Sequence, residues 1–452
     1  MRASLCLSWD AGPDIMQIAD LFNSIADRGL ELFAFGRGRG MPDSAAGLCR
    51  ALLSERGEAS GIALARELVA HYRGLDADGR EAFFAMLARE FGPDHAAVAA
   101  AARAFIAEPS ADGALRLAQA AEPPRQELLR RINMLPEGTE FVIGLRADGL
   151  DRLDDEPELR TVDADLKQVL TSWFSGGFLE LRRITWETPA IILEKLIQYE
   201  AVHEIQGWEF LRRRLAEDRR CYAFFHPALP NEPIIFVQVA LVRGLAGQVA
   251  PLLDPDALLG DPATADTAIF YSITNTQKGL RGISFGSFLL KQVVSDLQQT
   301  LPNLSIFSTL SPIPGFRRWL ETVAPKHEVA AVRAAAADLL PTLAGGGLDA
   351  VAADKALKAA LTGLCARYLV AELRPNGRPV DPVARFHLGN GARLERLNWA
   401  GDISPKGLEQ GWGLLVNYLY DPAELEQNHE AFVNAGKVAT SRAVARQLKP
   451  YL

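Results

Sequence analysis

At 452 residues, 48% of them hydrophobic and 23% charged, the chain is long enough for two domains or more and is composed like an ordinary globular protein. A net charge of −8 argues against a nucleic-acid or anionic-membrane surface, and no apolar run approaches the roughly 20 residues of a membrane span. Met1–Asp10 lacks the basic end and apolar stretch of a secretory signal and the C-terminal Lys-Pro-Tyr-Leu is not a peroxisomal signal, so a cytoplasmic protein is expected.

From residue 12 to about 170 the apolar spacing is helical. Ile15 to Ile25, Ala51 to Tyr72 and Arg80 to Phe91 carry it, and Ala96 to Ile106 and Ala114 to Ala121 are alanine-rich. Gly92-Pro93, Glu108-Pro109 and Pro123-Pro124 separate them. The pattern predicts a helical bundle with short loops over residues 1–175. It holds no convergent polar group; His71 and His95 stand alone and read as solvated or capping residues. Packing and subunit pairing are its expected jobs, in a homo-oligomer, dimer or tetramer. Asp151 to Val169 reads as a charged bridge, and Gly176-Gly177 as the boundary.

Beyond residue 178 the pattern changes. Pro189 to Tyr199 and Trp208 to Leu215 read as helices, then Cys221 to Phe225 and Ile234 to Val242 as strands, with a turn at Pro227 to Pro233. A strand at Ala268 to Ser272 leads into a loop with Gly279, Gly282 and Gly286. A helix follows, its apolar stripe formed by Phe288, Leu289, Leu290, Val293, Val294 and Leu297. After a polar turn at Gln299 to Asn303 come a second apolar run, Leu304 to Leu310, and a rigid turn, Ser311 to Phe316. Ala324 to Ala344 and Leu348 to Leu369 are helical stretches broken by Gly345-Gly-Gly347. Val383 to Leu388, the turn Gly389-Asn390-Gly391 and Ala392 to Trp399 predict a hairpin. Asp421-Pro422 with Glu424 predicts a helix start, and Gly436 its end. The fold class is α+β: an all-α bundle followed, over residues 176–452, by a mixed sheet with helices on both faces.

The glycine loop carries chemistry of its own. A helix entered through such a loop points unpaired N–H groups and a partial positive charge at whatever lies before it, a ready diphosphate site. Neither the Gly-x-x-x-x-Gly-Lys-Ser/Thr nor the G-x-G-x-x-G spacing is present. Arg281-Gly282-Ile283-Ser284-Phe285-Gly286-Ser287 is closer to the Q/R-x-x-G-x-G/A loop of the acetyltransferase-like (GNAT) fold, which holds the diphosphate of coenzyme A. Ser284 stands where that pattern has its first glycine. A plain strand-to-helix turn is the alternative.

The downstream segments sharpen this. F-S-T-L-S-P-I-P-G-F (Phe307 to Phe316), A-R-F-H-L-G-N-G-A (Ala384 to Ala392) and N-Y-L-Y (Asn417 to Tyr420) resemble motifs of the malonyl-CoA decarboxylases, as do Tyr199-Glu-Ala-Val-His203 and Arg220-Cys221-Tyr222. The resemblance covers roughly residues 175 to 425. It implies a GNAT-like catalytic domain that converts malonyl-CoA to acetyl-CoA and carbon dioxide. Coenzyme A then enters as part of the substrate, bound by Arg281 to Ser287. It also implies that the proton donor falls on His387 and the second catalytic residue on Ser311, with Ser308 as the neighbour to distinguish. Tyr420 is a third candidate. Some family members carry an acid at position 284, where this chain has Ser284.

The chemistry needs no metal or organic cofactor, because the thioester carbonyl itself takes up the electrons released as carbon dioxide leaves. The protein has to anchor the coenzyme, orient the carboxylate, stabilise the enolate and deliver a proton. Cys6, Cys49, Cys221 and Cys365 are not paired at short spacing, so no zinc knuckle is expected. No G-x-S-x-G elbow surrounds Ser311, so it is read as a hydroxyl that orients the malonyl carboxylate or carbonyl, not an acylated nucleophile. Taken one residue at a time, His387 also reads as a core histidine, Ser311 as a turn serine and Tyr420 as packing. The competing functions are a GNAT-type N-acyltransferase and a non-catalytic acyl-CoA-binding scaffold.

Overall fold

A computed structural model describes residues 42–54, 57–153, 156–174, 176–283 and 288–452; the stretch Ile15 to Ile25 lies outside them. Among the described residues two compact units are distinguished. One takes those of Met1–Phe178 with Pro227–Leu229 and Gln277–Ser284; the other takes Leu179–His226, Pro230–Thr276 and Phe285–Leu452.

The first unit is helical: α1 (Ala45–Ser54), α2 (Glu58–Arg73), α3 (Ala77–Glu90), α4 (His95–Ala107), α5 (Ala111–Ala121), α6 (Pro124–Ile132), α7 (Gly138–Leu150) and α8 (Arg160–Trp173). Short polar residues start four of them. The side chains of Ser44, Asp76, Asp94 and Ser110 accept hydrogen bonds from the first free N–H groups of α1, α3, α4 and α5, each cap stabilising by about 1 kcal/mol. The core is aromatic, with Tyr72 edge-on to Phe83 at 4.8 Å and to Phe141 at 5.5 Å. The charged stretch expected to bridge the two halves is mostly α8. Its acids are spent inside the bundle: buried Asp165 pairs with Arg125 and accepts from Gln126 Nε2 at 2.7 Å, and Asp163 pairs with buried Arg146 at 2.8 Å.

The main elements of the second unit are β1 (Glu180–Ile184), α9 (Ala190–Tyr199), α10 (Trp208–Arg214), β2 (Arg219–His226), β3 (Leu229–Val242), β4 (Thr267–Asn275), α11 (Phe288–Thr300), β5 (Ile306–Thr309), β6 (Ser311–Pro312), α12 (Phe316–Thr322), α13 (Ala330–Ala353), α14 (Lys355–Val370), α15 (Pro382–Gly389), β7 (Arg393–Asn398), β8 (Leu415–Leu419), α16 (Leu425–Ala435) and α17 (Arg442–Leu448). The strands form one sheet in the order β1-β2-β3-β4-β5-β8-β6, with β7 also on β8. It is mixed: β4 and β5 run parallel through Thr267–Phe270 and Ile306–Thr309, whereas β3–β4 and β7–β8 are antiparallel.

Alternation along β2 puts helices on both faces. Cys221, Ala223 and Phe225 bury against Ile192, Leu193, Leu196 and Leu211 of α9 and α10. Tyr222, pointing the other way, donates to Asp296 of α11 at 2.6 Å. The mixed sheet with helices on both faces is therefore the architecture that the sequence implied. Strand β1 was not read from the sequence: its Glu-Leu-Arg-Arg-Ile has no apolar alternation, and pairing with β2 holds it.

Two local readings are corrected. The segment expected as the first strand of a hairpin, Val383 to Leu388, is helix α15, and only its second arm is a strand, β7. Asp381 caps the helix through Ala384 N at 2.7 Å with Pro382 at the first position. The Asn390-Gly391 pair closes a helix instead of a hairpin. Ala392 N reaches back to His387 O and Gly391 N to Leu388 O, with Gly391 at φ +84°, the pattern of a Schellman C-cap. Ser311, expected in a turn, lies in the two-residue strand β6, with Ser311 opposite Val416 of β8; the turn follows at Gly315, φ +87°.

Candidate active site

Three of the sequence-predicted residues converge in the second unit. β6 supplies Ser311, α15 supplies His387 on its buried face, and Tyr420 follows β8, tied by its N–H to Phe307 O at 2.8 Å. His387 Nε2 lies 3.2 Å from Ser311 Oγ, and His387 Nδ1 lies 2.7 Å from the Tyr420 hydroxyl. Ser311 Oγ in turn donates to Thr309 Oγ1 at 2.9 Å. Thr309 Oγ1 also accepts from Tyr418 N at 3.1 Å.

The directions of these bonds follow from counting hydrogens. The Ser311 hydrogen is spent on Thr309, so Ser311 Oγ must accept from Nε2–H. A neutral imidazole then has its lone pair on Nδ1, which accepts the Tyr420 O–H. The line reads Tyr420 O–H to His387, His387 N–H to Ser311, Ser311 O–H to Thr309, and it selects one tautomer.

Burial sets the electrostatics. Burial pushes the His387 imidazole down to about 3 from its ordinary 6.5 and the Tyr420 phenol well above its ordinary 10.0. The ring is therefore neutral through the physiological range, and both partners keep their protons. Tyr418 stacks on the imidazole, centroids 4.6 Å apart and planes at 24°, and Phe386 meets it edge-on at 5.1 Å. Beside Tyr420 lies a cavity of about 210 Å³. Leu290, Val294, Asn390 and Leu425 line it, and Lys291 pairs with Glu426 at 2.8 Å.

Two family models match this chain: malonyl-CoA decarboxylase C-terminal domain over residues 177–452 and malonyl-CoA decarboxylase N-terminal domain over residues 91–174. The chain belongs to the malonyl-CoA decarboxylase family. That family's enzymes are carbon–carbon lyases, and so is this chain. The mitochondrial malonyl-CoA decarboxylase of Anser anser anser is 36% identical over 412 residues, 84% of this chain and 82% of the relative. The structure of malonyl-CoA decarboxylase from Rhodopseudomonas palustris superposes with a TM-score of 0.85 at 49% identity, covering 89% of this chain and 99% of that one. The structure from Agrobacterium vitis gives a TM-score of 0.80 at 48% identity, covering 89% and 99%.

Within this malonyl-CoA decarboxylase frame the other predicted residues fall elsewhere. Of the glycine loop, Arg281 and Gly282 are exposed and Ile283 is buried; Ser284, Phe285, Gly286 and Ser287 lie outside the described residues. The start of the loop is held in the helical unit. Arg146 Nη1 donates to Gly279 O at 2.7 Å and to Arg281 O at 2.9 Å. A Cβ on Gly279 would meet Ile143 O at 2.0 Å, so only glycine allows that approach. Ser308 is not part of the line, since its hydroxyl donates to Tyr418 O at 3.1 Å. The Tyr199–His203 segment forms a network of its own, in which buried Glu200 accepts from Gln238 Nε2 at 2.6 Å and Ser272 Oγ at 2.8 Å.

Thr309 and Tyr418 were not singled out from the sequence. Each lies two residues along its run from a residue that was, Thr309 from Ser311 and Tyr418 from Tyr420, and period-two alternation is the signal that relates them. Among the described residues, no group of three or more His, Cys, Asp or Glu side chains is placed to hold a metal ion, and no helix is long and apolar enough to cross a membrane.

Proposed function

We propose that this chain decarboxylates malonyl-CoA to acetyl-CoA and carbon dioxide, with His387 as proton donor and Ser311 and Tyr420 holding it. The observation that carries the reading is the line Tyr420–His387–Ser311, a neutral imidazole with its hydrogen on Nε2, in a chain of this family.

The bond between the carboxylate carbon and the methylene carbon breaks, and its electron pair passes into the thioester as an enolate. Carbon dioxide leaves. The enolate carbon then takes one proton. Ser311 Oγ holds the Nε2 hydrogen in place until the substrate takes it. A neutral imidazole that gives up this hydrogen would become an imidazolate, which is costly. Transfer of the Tyr420 hydrogen to Nδ1 in the same event keeps the ring neutral, and the site resets when a proton from water reaches Nε2 and the Nδ1 hydrogen returns to the Tyr420 oxygen. The buried surroundings strengthen each hydrogen bond to the developing charge. No metal and no organic cofactor enters the scheme. The glycine loop Arg281–Ser287 is the proposed holder of the coenzyme A diphosphate.

The test is direct. Purified protein is mixed with malonyl-CoA, without metal or amine, and the thioesters are followed by mass spectrometry. Acetyl-CoA should accumulate, and His387→Ala should slow it by roughly 10²-fold or more, the usual worth of general acid catalysis. Persistent malonyl-CoA, or His387→Ala turning over like the wild type, would overturn the assignment.

A further inference from the structure

At the start of the helix that carries the imidazole lies a buried acid that the decarboxylation scheme leaves unused. Asp381 is 0% exposed and stands immediately before α15, the helix that carries His387. Its Oδ1 accepts from Ala384 N at 2.7 Å. Its Oδ2 is buried with no hydrogen-bond partner among the described residues, and the hydroxyl of buried Tyr418, the ring stacked on His387, is in the same condition.

The groups around Asp381 are few. Tyr418 of β8 and Tyr368 and Cys365 of α14 feel its charge. Among the described residues Arg385, on its own helix, is the one cation that acts on it, and Nη1 of that guanidinium donates to Pro379 O at 2.8 Å and Val380 O at 2.6 Å. Asp381 makes no ion pair among the described residues. An ionised carboxylate here would be a buried charge without a counter-ion, which proteins avoid by neutralising the group. The neutral acid keeps an oxygen acceptor for the helix cap and adds a donor.

We propose that Asp381 is a positioning residue that works as a neutral carboxylic acid. One oxygen caps the helix bearing His387, and the other stays uncharged in a core that offers it no counter-ion.

Burial supports this by pushing the carboxyl up from 3.8 to about 7. Tyr418 and Cys365 are pushed well above their ordinary values, and Tyr368 is also raised, while His387 is pushed far down. Asp381 is thus the group of this core whose charge changes near neutral pH. Above that point an unpaired charge grows at the cap of the helix bearing His387, and the imidazole moves with the helix.

The inference rests on the decarboxylase reading only for its kinetic readout. The experiment measures kcat, KM and thermal unfolding from pH 5.5 to 9 for the wild type, Asp381→Asn and Asp381→Ala. Wild-type kcat should fall by about tenfold or more between pH 6.5 and 8.5 as the acid ionises, with KM steady. Asp381→Asn, neutral at every pH and still able to cap, should retain most of the turnover at pH 6 and lose that descending limb. Asp381→Ala, without a cap, should be slow at every pH. The unfolding arm stands even if the chain does not decarboxylate. A folded-state pKa raised above the unfolded value gives stability that is present below about 4 and lost as pH rises through about 7. The Tm of the wild type should therefore fall relative to Asp381→Asn across that window. Parallel Tm curves, an identical alkaline limb in Asp381→Asn, or failure of Asp381→Asn to fold or turn over at pH 6 would each overturn the proposal.

Discussion

Removing the Tyr420 hydroxyl, as Tyr420→Phe, tests the line of three residues at its outer end. The phenol donates to His387 Nδ1 across 2.7 Å, and the ring that accepts is only 3% exposed. Without the donor, Nδ1 is a buried acceptor that water does not reach. Leaving such a group unpaired costs about 1–3 kcal/mol. Part of that cost appears as lost stability. The part that matters for turnover is weakened tautomer control, since Ser311 Oγ then stands alone in favouring the hydrogen on Nε2, and the imidazole loses its source of a replacement proton. At about 1.4 kcal/mol per factor of ten, kcat should fall roughly 10- to 100-fold, with KM little changed. The assay is steady-state release of acetyl-CoA by wild type, Tyr420→Phe, Ser311→Ala and the double variant, with Tm recorded for each. Both hydroxyls act on one ring, so their effects should not add. A Tyr420→Phe enzyme within about threefold of wild type, or strictly additive losses, would refute the line as a unit.

Gly391→Ala should act on the site from the far end of α15. Gly391 sits at φ +84°, and an added Cβ would meet Leu425 O at 2.1 Å, so the C-cap below His387 has to shift. The strained backbone alone costs about 1–3 kcal/mol; thermal unfolding should show it, with kcat falling more than KM rises, and an unchanged Tm would mean the turn relaxes freely. His387 sets an acid limit on stability. Its folded pKa of about 3 lies below the ordinary 6.5, so the unfolded chain binds the proton first. The stabilisation is fully present above 6.5 and is lost as pH falls through about 3. Tm should drop from pH 7 to pH 4, less steeply in His387→Gln; equal slopes would contradict the buried neutral ring.

Much of this protein is legible along the chain. Apolar spacing and breakers locate helices α2 to α5, because the 3.6-residue period and short polar caps are local signals. The runs at Cys221 to Phe225, Ile234 to Val242 and Ala268 to Ser272 are strands because β-branched and aromatic side chains suit a pleated, buried surface. The motifs around Ser311, His387 and Tyr420 mark three residues that the fold brings together and, with them, the family. What the chain alone does not reveal is governed by partners distant in sequence. β1 is a strand because β2 lies beside it. Ser311 is in a strand because Val416 lies opposite. Val383 to Leu388 is a different case: it has the apolar content of a strand, yet local signals, the Asp381 cap and the left-handed Gly391, close it as a helix and outweigh residue preference within it. Sequence determines which side chains are available to the proposed chemistry. Tertiary structure decides which imidazole nitrogen keeps its hydrogen, because that choice belongs to Ser311 Oγ on one side of the ring and the Tyr420 hydroxyl on the other, both distant in sequence, and to the dry surroundings that hold the three together.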